Sequence, residues 1–265
     1  MPKLCAMQIE FQKYQGTGND FILINDFEGK FSKINPELIQ KICNRKFGVG
    51  ADGLMLLQKS NHASFRLVFF NPDGSQSFCG NGSRCAVRFA LENNLIENKQ
   101  ISFDAFDGVH FAEVNGNLVS ISMRDVSEFR DENGGQFINT GSPHLVIEKQ
   151  SLDSLDIVGD GRKLRYHSAY SPIGTNVNFM QVLNPNSAIK IRTYEKGVED
   201  ETLSCGTGVT ACALVFARKN NVVNSVLVET VGGQLSVSFS FENGKFTNVK
   251  LKGPAKFVFK GSYNA

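Results

Sequence analysis

Nowhere in its 265 residues does the sequence approach the ~18 unbroken apolar residues of a membrane span. Its opening stretch, MPKLCAMQIEFQKYQ, lacks the charged, apolar and small-residue order of a secretory leader. No membrane association is expected, and a cytoplasmic location is. Net charge is equally scarce: 28 Lys and Arg against 26 Asp and Glu give +2, which offers no basic field for nucleic acid. Metal-ligand spacing is missing too. The four histidines, His62, His110, His144 and His167, are scattered, and the six cysteines form no Cys-x-x-Cys pair. That absence also argues against a dithiol redox role and, in a cytoplasmic chain, for free thiols. GTGND at 16–20 has neither the third glycine of a dinucleotide-binding turn nor the lysine of a phosphate loop.

What is present is an ordinary globular composition, 41% hydrophobic and 20% charged, long enough for one large domain or two of common size. Short runs rich in Val, Ile and Phe, bounded by Gly, Asn or Asp, predict strands at 21–26, 53–58, 65–71, 101–106, 109–114 and 118–123. The second half continues with 137–139, 144–148, 176–183 and 188–195, and with four more runs after residue 224. Helices are few. NPELIQKICNR (35–45) has Asn35 as N-cap and Pro36 at the first helical position; others are predicted after Gly82 and over 209–219. Strands and helices do not alternate one for one, so the pattern predicts a mixed α+β fold rather than a doubly wound parallel sheet.

The two halves resemble each other. FCGNG around Cys79 returns as SCGTG around Cys205, 126 positions on (205 − 79), and the strand ending at Asn71 has a counterpart ending at Glu195. GTGNDFILI (16–24) and GTNVNFMQV (174–182) read as a third, looser pair. The landmarks predict two pseudo-symmetric domains joined near the polar stretch 125–135. Their bounds are 1–126, completed by a C-terminal strand at about 255–265, and 127–254.

Each Cys-Gly-x-Gly opens a predicted helix. Helix N-termini present unpaired N–H groups and about half a positive charge, which stabilise a thiolate and can hold a carboxylate or phosphate. Glycines beside the cysteine allow a tight turn and close approach. Two such thiols flanking one bound anion could take a proton from one face of a carbon and return one to the other. Cys5, Cys43, Cys85 and Cys212, among apolar neighbours, read as core packing. Asn19 and Asn71 stand in glycine-rich turn contexts, where a turn role competes with binding, and His144 alone would read as a satisfied histidine. Asp20 reads as a turn or capping residue.

Together with these cysteines, the stretches YQGTGNDFILI, GADGL, FFNPDGS, TGSPH, GTNVNFMQ and YEKGVEDETLSCGTG resemble the diaminopimelate epimerase family. The resemblance implies two α/β halves, each a curved sheet wrapped around a central helix. It implies a cofactor-independent two-base epimerisation of L,L- to meso-diaminopimelate, serving lysine and peptidoglycan precursor synthesis, in a homodimer without pyridoxal phosphate or metal. Cys79 and Cys205 would be the bases, with Cys205 accepting from the L,L substrate and Cys79 donating, and His144 and Glu195 would assist. Backbone N–H groups of Gly80, Asn81, Gly206 and Thr207 would hold the α-carboxylate, Glu195 the α-ammonium. Asn19, Asn71 and Asn176 would place the substrate. Better-known members carry Asn where this chain has Ser142 and Arg where it has Lys196, and some carry Gln in place of Gly53, all toward the distal amino-acid group. Lysine cannot reproduce the bidentate fork that arginine offers a carboxylate. The alternatives are a racemase of proline or another small amino acid, and a non-catalytic ligand-binding or redox protein.

Overall fold

The computed structural model describes residues 8–31, 34–97 and 100–265. Cys5 lies outside the described residues. The chain divides into two compact units, one taking the described residues up to Val119 together with Pro254–Ala265, the other Ser120–Gly253. No helix among the described residues is long and apolar enough to cross a membrane.

The first unit begins with β1 (Gln8–Gly16) and β2 (Asn19–Asn25), then α1 (Pro36–Cys43), β3 (Gly53–Gln58) and β4 (Phe65–Phe70). It continues through α2 (Gly80–Glu92), β5 (Ile101–Ala105), β6 (Gly108–Asn115) and β7 (Leu118–Ser122), the last crossing the boundary. The second unit holds β8 (Arg130–Glu132), β9 (Gly135–Asn139), β10 (Pro143–Glu148), α3 (Ile157–Arg165), β11 (Asn176–Asn184) and β12 (Ala188–Glu195). After β13 (Asp200–Thr202) come α4 (Gly206–Asn220), β14 (Ser225–Thr230), β15 (Gly233–Glu242) and β16 (Lys245–Pro254). The final strand, β17 (Lys256–Asn264), returns to the first unit and pairs antiparallel with β1.

Pairing repeats between the units. β2 runs parallel to β3 across α1, β3 antiparallel to β4, and β4 parallel to β5 across α2. In the same order β10 runs parallel to β11 across α3, β11 antiparallel to β12, and β12 parallel to β14 across α4. The expected mixed α/β fold with a duplicated, sheet-rich design is what the chain forms. One landmark needs correcting: GTGNDFILI ends in β2, but GTNVNFMQV lies on β11, whose counterpart is β3. Gly-Thr before a short apolar strand occurs twice for unrelated reasons, and apolar strands this short carry too little pattern to set register. The stretch around 125–135 also differs from a linker, because β8 and β9 form a hairpin there, turned by Asn133 and Gly134 at φ 47 and 74.

Period-2 alternation explains how each sheet serves two helices. On β3, Leu54 and Leu56 join the cluster built on Ile39 and Ile42 of α1, while Met55 between them lies against Gly82 of α2. On β10 and β11, Leu145, Ile147, Val177 and Phe179 join Ile157 of α3, which leaves His144, Asn176 and Asn178 on the opposite side of their strands. Both central helices are buried nearly all round, which is how a helix enclosed by strands reads. α2 touches β1, β2, β3, β4 and β17; α4 touches β9, β10, β11, β12, β14 and β15.

Candidate functional site

Cys79 and Cys205 are the N-caps of α2 and α4, each with extended backbone. They differ in detail. Cys79 Sγ accepts from Gly82 N at 3.4 Å, whereas no helix-cap hydrogen bond reaches the Cys205 side chain. The four glycines of the two motifs all have helical, negative φ, so a tight turn is not what requires them. Space is: a Cβ on Gly82 would collide with Met55 Cε, and one on Gly208 with Asn178 Oδ1. Met55 and Asn178 hold corresponding places on β3 and β11.

In the first unit, Asn19 is fixed by what surrounds it. Its Nδ2 donates to Asp52 Oδ2 at 2.6 Å, and a carboxylate can only accept, so Oδ1 must face the other way. There it receives Asn81 Nδ2 at 3.3 Å and lies 3.9 Å from Cys79 Sγ. Asn81 is oriented likewise, because its Oδ1 accepts from Arg84 Nη2 at 3.0 Å. Behind Asp52, Arg45 donates to Asp52 and to Asp20 at 2.6 Å each, and Lys13 pairs with Asp20 at 2.7 Å. Burial alone would raise the Asp20 carboxyl, but the hydrogen bonds from Arg45 and Lys13 outweigh it and hold it at about 2. Asp20 is therefore an ion-pair anchor. Asn71 closes the turn after β4, donating to Ser75 Oγ at 3.0 Å and Ser77 Oγ at 3.2 Å.

In the second unit, His144 is fully buried. Asn178 Nδ2 lies 3.2 Å from Leu145 O and 3.0 Å from His144 Nδ1. A backbone carbonyl only accepts, so this end of the amide is the nitrogen, and His144 Nδ1 must be the acceptor. The ring is thus the neutral Nε2–H form. Burial pushes its pKa down to about 3. Nε2 lies 2.9 Å from Thr207 Oγ1 and 3.0 Å from Ser142 Oγ, and Thr207 Oγ1 lies 3.5 Å from Cys205 Sγ. His144 therefore reaches Cys205 through the Thr207 hydroxyl.

Asn176 ties the two departures together. Its Nδ2 donates to Pro143 O at 2.9 Å and to Ser142 Oγ at 3.2 Å, while its Oδ1 accepts from Lys196 N at 2.9 Å. The Lys196 ammonium is lowered from its ordinary value by partial burial and by Arg165. Glu195 Oε2 accepts from Thr202 Oγ1 at 2.8 Å at the end of β12. Gly53 has no room for glutamine, since any Cβ there would meet the Phe69 ring.

The chain thus brings Cys79, Asn81 and Asn19 into one group, and Cys205, Thr207, Ser142, His144 and Asn176 into another. Three residues that sequence reading passed over complete them: Asp52, Arg84 and Asn178. Two of the three left a signal, a charge inside an apolar helix for Arg84 and two amides alternating with Val177 and Phe179 for Asn178. Cys43, Cys85 and Cys212 are buried, as expected of packing residues, and burial raises Cys43 to about 11 and Cys85 to about 12. Among the described residues, no three His, Cys, Asp or Glu side chains are grouped to hold a metal.

A sheet unit occurring twice, each copy closed around a helix, defines a class of duplicated α/β folds; in this chain each of those helices carries cysteine at its N-cap. Solved members of the fold include a phenazine biosynthesis protein of the PhzF family from Bacillus anthracis, at TM-score 0.78 and 15% identity over 98% of this chain and 100% of that one. Another is a hydroxyproline epimerase from Agrobacterium vitis, at TM-score 0.68 and 15% identity over 97% and 92%. Within that class the family profile described as Diaminopimelate epimerase matches residues 11–127 and 136–258. A relative of that name from Flavobacterium psychrophilum is 48% identical over 95% of this chain and 99% of its own length; one from Aquifex aeolicus is 41% identical over 96% and 97%. The chain belongs to the diaminopimelate epimerase family.

Proposed function

We propose that the chain is an isomerase, an amino-acid epimerase that interconverts L,L- and meso-2,6-diaminopimelate, and so serves lysine and peptidoglycan precursor synthesis. The observation that carries this reading is the family match over both halves, each half holding a cysteine N-cap at the same place in a repeated topology. In this reading Cys79 and Cys205 are the two bases, one thiolate and one thiol. The thiolate takes the α-proton, the thiol delivers its own to the opposite face, and the thiol and thiolate have exchanged when the product leaves. Charge that develops at the α-carbon spreads into the carboxylate. N–H groups of Gly80, Asn81, Gly206 and Thr207, pointed along two helix axes, are fixed dipoles suited to stabilise it.

The remaining roles follow from chemistry and position. Glu195 suits the α-ammonium. Asn19 and Asn81 orient the Cys79 side, and His144 acts on Cys205 by positioning Thr207 rather than as a base, since its one lone pair, on Nδ1, is taken by Asn178 and the Nε2 facing Thr207 carries the proton. Asn71, Asn176, Ser142 and Lys196 are assigned to the distal amino-acid group, with Asn176 holding the last two in place. No cofactor is required, because thiols and backbone dipoles supply the proton transfer and the charge stabilisation. The protein works in the cytoplasm as a homodimer.

The test is isotope exchange: purified protein under reducing conditions in D₂O, without added cofactor, should exchange the α-hydrogen of diaminopimelate and form the second isomer. Proline and hydroxyproline belong in the same assay. Exchange on them but not on diaminopimelate would overturn the substrate assignment, and binding of diaminopimelate without exchange would overturn the enzyme reading.

A further inference from the structure

Arg84 is fully buried inside α2, and no carboxylate is among its partners. Its guanidinium donates to Thr17 Oγ1 at 3.2 Å, Asn81 Oδ1 at 3.0 Å and Gly80 O at 3.4 Å, and its Nε has no partner. A buried charge of this kind is costly unless paired. Its position makes the cost larger, because it stands near the helix N-terminus, where the dipole is already positive.

The charges around it do not compensate. Asp20 and Asp52 on the Asn19 side are balanced by Lys13 and Arg45. Toward the other end of α2, Glu92 is balanced by Arg88 and accepts from Tyr14, whose hydroxyl burial keeps protonated. Cys85, next to Arg84, is held neutral by burial, at about 12. Among the other strands touching α2, β3 carries no ionisable side chain, β4 offers the exposed Arg66, and β17 the exposed Lys256 and Lys260 with Tyr263. His110, stacked on Phe78 at 4.4 Å, pairs with Asp107. Glu10 of β1 is exposed as well, so among the buried groups at the end of the helix that Cys79 caps, Arg84 is the charge left unbalanced. α4 has no such charge: its corresponding position is Thr210, whose hydroxyl returns to Gly206 O at 3.0 Å.

We propose that Arg84 is an electrostatic positioning residue: its buried, uncompensated charge makes Cys79, rather than Cys205, the thiolate of the resting protein. This rests on the two-base reading above. Gly82 N–H, donated to Cys79 Sγ at 3.4 Å, acts in the same sense. Asn19 Oδ1, at 3.9 Å from Sγ, favours the thiol instead but is the more distant contact, and the Thr207 hydroxyl beside Cys205 can turn either way and does not discriminate. If Cys205 accepts from the L,L isomer, the resting protein is the form that receives the meso isomer. The chemistry Arg84 favours is any anion at this helix end, thiolate first and substrate carboxylate second.

Alkylation of substrate-free protein by iodoacetamide, read peptide by peptide in a mass spectrometer, tests the assignment. Cys79 should reach its half-maximal rate at a lower pH than Cys205, a comparison unaffected by their different exposure. Arg84→Gln, which keeps hydrogen-bonding atoms but removes the charge, should slow Cys79 at pH 7 by about tenfold or more and leave Cys205 within about twofold. Loosened structure would instead speed both cysteines. Cys205 titrating first, an unchanged Cys79 rate in Arg84→Gln, or both rates moving together would overturn the proposal, and the wild-type comparison decides alone should the variant not fold. Isotope exchange on diaminopimelate is scored separately, so loss of the Arg84 role would leave the epimerase reading standing.

Discussion

At the scale of single residues, His144 and Asn178 make the sharpest predictions. Burial lowers the folded pKa of His144 to about 3 from the ordinary 6.5, so between those values the unfolded chain binds a proton that the folded one refuses. The associated stability is fully present above pH 6.5 and is lost as pH falls toward 3. Asp20, held at about 2 against 3.8, adds a loss of the same sign at lower pH. Urea midpoints measured from pH 7 down to pH 4.5 should fall, and His144→Gln should flatten that slope; an equal slope in the variant would contradict the buried neutral assignment. Asn178→Leu deprives His144 Nδ1, Leu145 O and Thr193 Oγ1 of a buried partner, at a cost of about 1–3 kcal/mol by denaturation. Glycine spacing made Cys79 and Cys205 legible in the sequence. It could not have revealed the tautomer of His144, which depends on an amide one strand away, Asn178, itself oriented by Leu145 O.

Among elements, the two third-position glycines separate packing from propensity. Gly82→Ala meets the flexible end of Met55 and gains helix propensity of about 1 kcal/mol, so it should be close to neutral. Gly208→Ala meets the Asn178 amide, which is held by three hydrogen bonds, and should destabilise by about 1–3 kcal/mol and lower kcat through His144. Thermal unfolding of the two variants distinguishes them, and equal losses would contradict the difference. The N-cap and first proline located α1 correctly, with Asn35 Oδ1 accepting from Leu38 N at 2.8 Å. Helix α3 escaped sequence reading because two glycines interrupt its short pattern. It is sustained from outside: Asp156 caps Gly159 N at 2.9 Å, and Gly161 admits the Tyr194 side chain. Strand β1, paired with β2 on one side and β17 on the other, was missed as well, since Gln and Lys alternate there with Ile9, Phe11 and Tyr14 and dilute its apolar content.

For the whole molecule, duplication is the governing feature, and it was visible because two short motifs recur at nearly constant spacing. What diverged is informative: Arg84 against Thr210, Met55 against Asn178. Identical halves would give two equivalent thiols, and these substitutions remove the equivalence. The proposed homodimer has a candidate surface on β17, where Phe257, Val258 and Phe259 are 47%, 51% and 45% exposed in succession. Val258→Lys should convert the species seen by sedimentation velocity from dimer to monomer, and a monomeric wild type would contradict the dimer. The central claim is that two opposed thiols, one in each half, exchange a proton with a single carbon. It is tested most directly by early-time isotope distribution in D₂O, starting from either diaminopimelate isomer. The two-base account predicts one deuterium in the newly formed isomer, almost none in recovered substrate, and no net epimerisation by Cys79→Ala or Cys205→Ala; equal deuterium in both isomers, or full turnover by either variant, would contradict it.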